Sequence, residues 1–283
     1  MDVNTLYKDM MFSVLRLVTS DEYGDGATGT GLLVDLESTP GMSSPVLLTN
    51  RHVVERAAEI SLHLPTSDGP AAVALGETVQ IRMVLEEERF FSPRDRHVDL
   101  AVMPFGAVLQ ALKDLPTPPF VRFLPVSEFP SSKQYDALDA LEDVFFIGFP
   151  DGRWDDTNKT PIMRKGTTAT PATLFFDGRP QFLIDASVFP GNSGSPVFVM
   201  RTTNYISGTR LMSEQIAMFV GVITGSLHQR HDVTVFDTTS EITEQLDLGL
   251  VVNVGAVRAT LDEYCEYANV PKPRYRTSAL GLA

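Results

Sequence analysis

Cysteine is almost absent: Cys265 stands alone among 283 residues. No disulfide framework can form within such a chain, which favours a reducing compartment. Long apolar runs are missing too. None approaches the ~18 residues that a membrane-crossing helix requires, and the longest, near Ile216 to Thr224, suits a buried strand. The opening Met1-Asp2-Val3-Asn4 lacks the basic start and apolar core of a signal peptide, so the expectation is a cytoplasmic protein with no membrane role. Positive charge is scarce. The formal net charge of −13, from 23 Lys and Arg against 36 Asp and Glu, counts against nucleic acid as the main partner. Histidine, cysteine and glutamate nowhere cluster at metal-ligand spacing, so neither a metal nor another cofactor is expected.

What is present is apolar material for a sizeable core. Hydrophobic residues make up 43% and aromatic residues 9%, which excludes a disordered chain and accommodates two barrels of ~100 residues each. Local patterning reads as mostly β. Met11 to Val18 alternates as a first strand, Gly24-Asp25-Gly26 is a turn, Thr39 to Pro45 is a loop, and Val73 to Val84 supplies further strand. Pro116, Pro118, Pro119, Pro125 and Pro130 stiffen a connecting stretch between Leu109 and Pro130. Lys133 to Leu141 reads as a short helical turn, and the polar segment Arg201 to Gln215 as an exposed loop. Glu86-Glu87-Glu88 reads as a solvated loop face, and Val257 to Tyr267 as a helix that carries Cys265 on one face.

The most specific stretch is Phe189-Pro190-Gly191-Asn192-Ser193-Gly194-Ser195-Pro196, which feeds the apolar run Val197 to Met200. It sets a serine between two glycines at a tight turn. A serine hydroxyl is a poor nucleophile unless it projects beside a base and near N–H groups that can hold an oxyanion. Here the backbone N–H groups of Gly191 and Ser193 would form that hole. A candidate base is His52, just beyond the apolar run Val46-Leu47-Leu48, since imidazole titrates near working pH. A candidate orienting carboxylate is Asp99, at the mouth of the strand Leu100 to Met103. Each segment also has a structural reading: a turn, a core histidine, a loop cap. Ser195, His97 and Asp95 are the internal rivals, but none preserves the spacing of 52, 99 and 193. His63, His228 and His231 lie in polar surroundings and read as exposed loop residues.

The order His, Asp, Ser and these gaps resemble the chymotrypsin-like serine peptidases, most of all the high-temperature-requirement (Do-like) branch and bacterial trypsin-like peptidase domains. Thr49-Asn50-Arg51-His52, Asp99-Leu100-Ala101-Val102 and Pro190-Gly191-Asn192-Ser193-Gly194 carry that likeness. So do Gly29-Thr30-Gly31, Ile147-Gly148-Phe149-Pro150, Asp185-Ala186, Gly221-Val222-Ile223-Thr224-Gly225 and Gly249-Leu250-Val251. The resemblance implies an all-β chain of two packed six-stranded Greek-key β-barrels with a C-terminal α-helix. The expected division is 1–115 for the first barrel, 116–142 for the linker, 143–256 for the second barrel and 257–283 for the helix and tail.

The same likeness implies a serine endopeptidase that acts on polypeptide through an acyl-enzyme, with His52, Asp99 and Ser193 as its triad. The catalytically silent alternative is a binding or scaffold protein on the same fold. Ser187, Phe189, Asn192, Ile223, Thr224 and Gly225 would bind substrate. Ser187 stands where members that cleave after Arg or Lys keep an aspartate, so a small or medium apolar residue is expected before the scissile bond. Asn192 takes the place of the aspartate that trypsin-type activation uses, which leaves constitutive activity, loop rearrangement, oligomerisation or an activating protein partner open. The residues after the helix are too few for a PDZ module.

Overall fold

A computed structural model describes residues 1–38, 42–85, 89–207, 210–235 and 238–275, with side chains described outside 203–214 and 232–241. After a short helix α1 (Leu6–Met11), capped by the Thr5 hydroxyl, come β1 (Val14–Ser20), β2 (Gly26–Asp35) and β3 (Pro45–Thr49). A single helical turn α2 (Arg51–Val54) leads to β4 (Glu59–Ser67), β5 (Val73–Val84) and β6 (Ala101–Pro104). Helix α3 (Gly106–Leu112), the two-residue strand β7 (Leu124–Pro125) and helix α4 (Ser132–Asp136) make the connection to the second half. That half contains β8 (Asp143–Gly148), β9 (Ile162–Thr168), β10 (Gln181–Asp185), β11 (Pro196–Ser207), β12 (Arg210–Val235) and β13 (Thr238–Asn253). Helix α5 (Val254–Tyr267) ends the described elements.

The second six strands close into a barrel in the order β10-β13-β12-β11-β8-β9. The first sheet runs β5-β4-β1-β2-β3-β6, with β7 added parallel to β2. It has the six strands expected of a barrel, but β5 and β6 do not pair with each other among the described residues, and the outer side of β6 is bridged at Val102 by Phe91. The protein is therefore a mostly β chain with one closed barrel, a second curved sheet and a C-terminal helix.

Period-2 alternation explains the near-continuous apolar runs, because successive side chains of a strand point to opposite faces. In β3, Leu47 enters the core of the first sheet while Val46 and Leu48 face the layer between the two halves. In β8, Val144 and Phe146 fill the second barrel while Phe145 and Ile147 join that same middle layer. Both faces of these strands are buried, so neither position can be polar. Phe145 stacks on Phe198 at 5.1 Å and meets Tyr7 edge-on at 5.4 Å. Helix α5 covers the same layer with Val254, Val257, Leu261, Tyr264 and Cys265, a 3.6-residue spacing. Its first turn is capped by Asn253, whose side chain accepts the Ala256 N–H at 2.9 Å.

Two local expectations change. The stretch from Met11 is the end of α1, and the first strand begins only at Val14. Arg201 to Gln215 is not a rim loop: β11 and β12 continue as a paired hairpin, in register from Arg201↔Ile216 to Ser207↔Arg210. Polarity suggested a loop, yet two strands that satisfy each other's backbone need no apolar core, and Thr, Tyr and Ile there favour extended chain.

Candidate active site

The site is assembled where the two halves meet. Strand β3 ends at Thr49, Asn50 remains extended, and the one turn of α2 then presents His52. Buried Val53 and Val54 anchor that turn, and the Asn50 amide donates to the Asp99 carbonyl at 2.6 Å. Asp99 itself lies between buried Val98 and Leu100, just ahead of β6. The nucleophile candidate arrives from the other half, on the turn between β10 and β11.

His52 Nδ1 lies 2.5 Å from Asp99 Oδ2, and the His52 backbone N–H donates to Asp99 Oδ1 at 3.1 Å. Its other ring nitrogen, Nε2, is 3.0 Å from Ser193 Oγ. The structure thus brings these three side chains into one hydrogen-bonded line. Burial opposes ionisation of Asp99, but the hydrogen bonds from His52 and Thr224 outweigh it and hold the carboxyl below the usual carboxylate range. Such a line can move a proton from hydroxyl to imidazole while a fixed carboxylate stabilises the resulting imidazolium.

The serine turn is held from several sides. Gly191 and Gly194 have φ of +87° and +92°, the left-handed region. A β-carbon on Gly191 would meet the Phe149 carbonyl, and one on Gly194 the Thr30 carbonyl. The Thr30 N–H donates to the Ser193 carbonyl at 2.8 Å, and its hydroxyl donates to the Gly191 carbonyl at 2.9 Å. Asn192 N–H turns back to the Phe189 carbonyl at 3.0 Å. Against this background the backbone N–H groups of Gly191 and Ser193 donate to no acceptor among the described residues. Two unengaged donors beside a positioned hydroxyl are what an oxyanion would occupy.

The rivals lie elsewhere. Ser195 is fully buried, with its hydroxyl 3.3 Å from that of Thr30. His97 is exposed, and its N–H caps onto exposed Asp95 at 2.9 Å. His228 and His231 are exposed as expected but sit on β12, not on a loop. His63 departs from expectation: it is half-buried on β4, edge-on to Trp154 at 5.2 Å. Burial, then Arg16 and Lys159, lowers its pKa. Cys265 is buried in α5, and burial pushes its thiol up to about 11.

The residues expected to bind substrate separate into two groups. Phe189 is 37% exposed, Ser187 is half-buried, and Gly225 faces open space, where a β-carbon would meet nothing within 4 Å. Asn192 and Ile223 are buried, at 1% and 0% exposure, and their main-chain N–H and C=O groups are already hydrogen-bonded to Phe189, Ser195 and Gly194, so the structure does not bring either to a ligand-facing surface. Thr224 does something that its motif did not reveal: its hydroxyl donates to Asp99 Oδ2 at 2.6 Å. Arg164 was also missed, because it is 29 residues from the serine in the chain. Its guanidinium donates to the Ser187 carbonyl at 2.5 Å and lies 5.2 Å over the Phe189 ring. No periodicity could have paired Thr30 or Arg164 with the serine turn; the early Gly-Thr-Gly was the one visible signal.

A family model described as trypsin-like peptidase domain matches residues 29–205. No curated protein matches the sequence. Among solved structures, the Rv3671c protease of M. tuberculosis in its active form is 15% identical with a TM-score of 0.45, over 98% of this chain and 90% of that one. Tobacco etch virus protease complexed with product is 14% identical with a TM-score of 0.49, over 99% and 88%. The scabies mite inactivated protease paralogue S-I1 is 13% identical with a TM-score of 0.48, over 91% and 96%.

Proposed function

The chain belongs to the trypsin-like peptidase domain family, and from that premise we propose that it is a serine endopeptidase with His52, Asp99 and Ser193 as its triad. The observation that carries this reading is the imidazole of His52, 3.0 Å from the Ser193 hydroxyl and 2.5 Å from the Asp99 carboxylate.

Ser193 Oγ attacks the carbonyl carbon of the scissile peptide as His52 Nε2 accepts its proton. Negative charge that develops on the carbonyl oxygen is taken up by the N–H groups of Gly191 and Ser193. His52 then protonates the leaving amine, the C–N bond breaks, and an acyl-enzyme ester remains on Ser193. Water, deprotonated by the same imidazole, hydrolyses that ester and restores the serine. Asp99 keeps one tautomer in place throughout, and Thr224 fixes the carboxylate. Arg164 on the Ser187 carbonyl disfavours a cationic residue at the cleaved position, in keeping with an apolar preference there.

Asn192 supports regulated activity. Its buried side-chain nitrogen has no hydrogen-bond partner, which leaves a donor that a loop rearrangement or an activating partner could satisfy. The test is labelling by a fluorophosphonate probe together with cleavage of an unfolded protein such as casein. Wild type should be labelled and should cleave, and Ser193→Ala should do neither. Equal labelling of Ser193→Ala refutes Ser193 as nucleophile, and a wild type that is never labelled favours the silent scaffold.

A further inference from the structure

A polar row crosses the first sheet on the face that meets the second half. Register sets His63 of β4 opposite Arg16 of β1, and Arg16 opposite Thr30 of β2, so the three side chains share one face. Thr30 ends the row at the serine turn, which it clasps by the Gly191 and Ser193 carbonyls. Arg16 reaches the neighbouring turn of the second half, where its Nε donates to the Gly152 carbonyl at 2.6 Å. His63 meets the Trp154 ring edge-on at 5.2 Å. The same ring lies 4.8 Å from the Arg16 guanidinium and 4.9 Å from the Lys159 ammonium. The Gly152 turn is in turn the floor beneath Gly191. Asp151 N–H donates to the Pro190 carbonyl at 2.5 Å, and a β-carbon on Gly191 would strike backbone atoms of Phe149, Asp151 and Gly152. Asp151 holds a left-handed φ of +51°, which a residue other than glycine keeps only where its surroundings fix it.

We propose that Arg16 is a positioning residue for the oxyanion hole, and that the charge on His63 sets how firmly it holds. The inference rests on Ser193 as nucleophile with Gly191 as an oxyanion donor. While His63 is neutral, the Arg16 guanidinium keeps both the ring and the Gly152 carbonyl. A proton on His63 puts a third cation at that ring, directly across the strand pair from Arg16, and like charges in such a position repel. The charges that face His63 are Arg16 from β1 and Lys159 from the loop after Trp154. Its partner on β5, Gln80, is neutral, and Arg82 further along β5 is paired with Glu59 at 3.5 Å. In the Trp154 loop, Asp155 accepts the N–H groups of Thr157 and Asn158, and Asp156 favours the Arg16 cation. Burial and the two facing cations lower the His63 pKa, so the proton arrives only below the ordinary 6.5. Repulsion then loosens Arg16 from Gly152, the turn gives way, and the N–H of Gly191 leaves the oxyanion position. Activity is shed in acid through this row, on top of the loss that protonation of His52 brings.

The experiment compares the full chain as wild type, Arg16→Gln, Arg16→Lys and His63→Gln. A fluorophosphonate probe gives a limiting labelling rate and a half-saturating concentration at each pH, and fluorescence of Trp154, the single tryptophan, is read on the same samples. Arg16→Gln should lower the limiting rate at least tenfold with half-saturation changed less than twofold, and Arg16→Lys should restore part of it. Wild type should lose rate in acid with the slope of two protons, and His63→Gln with the slope of one. The Trp154 signal should follow the His63 proton, and its midpoint should rise in Arg16→Gln because an opposing cation is gone. A limiting rate in Arg16→Gln within threefold of wild type, or a two-proton slope that survives His63→Gln, overturns the inference. Should Arg16→Gln fail to fold, the slope of His63→Gln decides alone. A wild type that is neither labelled nor active strikes the nucleophile reading and this inference with it. An active wild type indifferent to Arg16 strikes this inference only.

Discussion

Gly191→Ala perturbs the proposed oxyanion donors without touching any side chain of the proposed triad. At φ +87° an alanine pays the left-handed penalty, roughly 1–2 kcal/mol. Its β-carbon would also fall on the Phe149 carbonyl, 2.9 Å from the Gly152 nitrogen and 3.1 Å from the Asp151 nitrogen. All three are backbone atoms of one tight turn that is tied to the serine loop through Asp151 N–H to the Pro190 carbonyl at 2.5 Å. That turn is itself fastened by Arg16 on the Gly152 carbonyl at 2.6 Å, so it cannot recede freely. The cheaper response is rotation of the peptide at residue 191, which removes one N–H from the oxyanion position. Loss of one such donor costs about 10²–10³-fold in kcat. The expectation is therefore a fall of that size in casein cleavage and in the rate of fluorophosphonate labelling, with a melting temperature lower by several degrees. Gly225→Ala is the stability control, since its β-carbon meets nothing within 4 Å. A Gly191→Ala protein that keeps more than a fifth of wild-type turnover refutes the assignment of this N–H.

Four other outcomes follow from the same geometry. Thr224→Val deletes the donor to Asp99 Oδ2 at nearly constant volume; a hydrogen bond to a charged acceptor is worth about 1.5–3 kcal/mol, so kcat/KM should fall at least tenfold, Thr224→Ser should restore it, and an unchanged rate argues against the contact. For pH, the Asp99 carboxyl is depressed from its ordinary 3.8, so its contribution to stability is present above that value and is lost as pH falls through the lower folded pKa. His63 is lowered from 6.5, so the folded chain binds fewer protons than the unfolded one, and stability declines as pH falls below about 6.5. His63→Gln should flatten that slope in denaturant titrations read by Trp154, the single tryptophan, and an unaltered slope would contradict the burial of His63. Phe145→Ala empties a place between Phe198 and Tyr7 in the middle layer and should cost about 3–5 kcal/mol in urea unfolding; a loss below 1 kcal/mol would mean the layer is loosely packed. Cys265, buried and pushed up to about 11, should resist iodoacetamide at pH 8 until the chain unfolds, and rapid native labelling would show α5 lifting off.

The amino-acid sequence by itself determined the β-rich class, because alternation and apolar runs such as Val46 to Leu48 and Val144 to Ile147 are local properties of a strand. It also marked the serine turn, since Gly191 and Gly194 hold backbone angles that other residues resist. It marked His52 and Asp99 through short motifs with recognisable spacing. Tertiary structure decided the rest. The Thr224 hydroxyl on Asp99, the clasp of Thr30 on Gly191 and Ser193, and the guanidinium of Arg164 over Phe189 join residues separated by 125, 161, 163 and 25 positions, and no pattern of period 2 or 3.6 spans such gaps. The hairpin from Arg201 to Gln215 was hidden for the opposite reason: its strands are stabilised by each other's backbone, so their polar side chains carry no signature of burial. The length of β12 was equally invisible, because how far a strand runs past one neighbour and along another depends on where those neighbours end and not on its own residues.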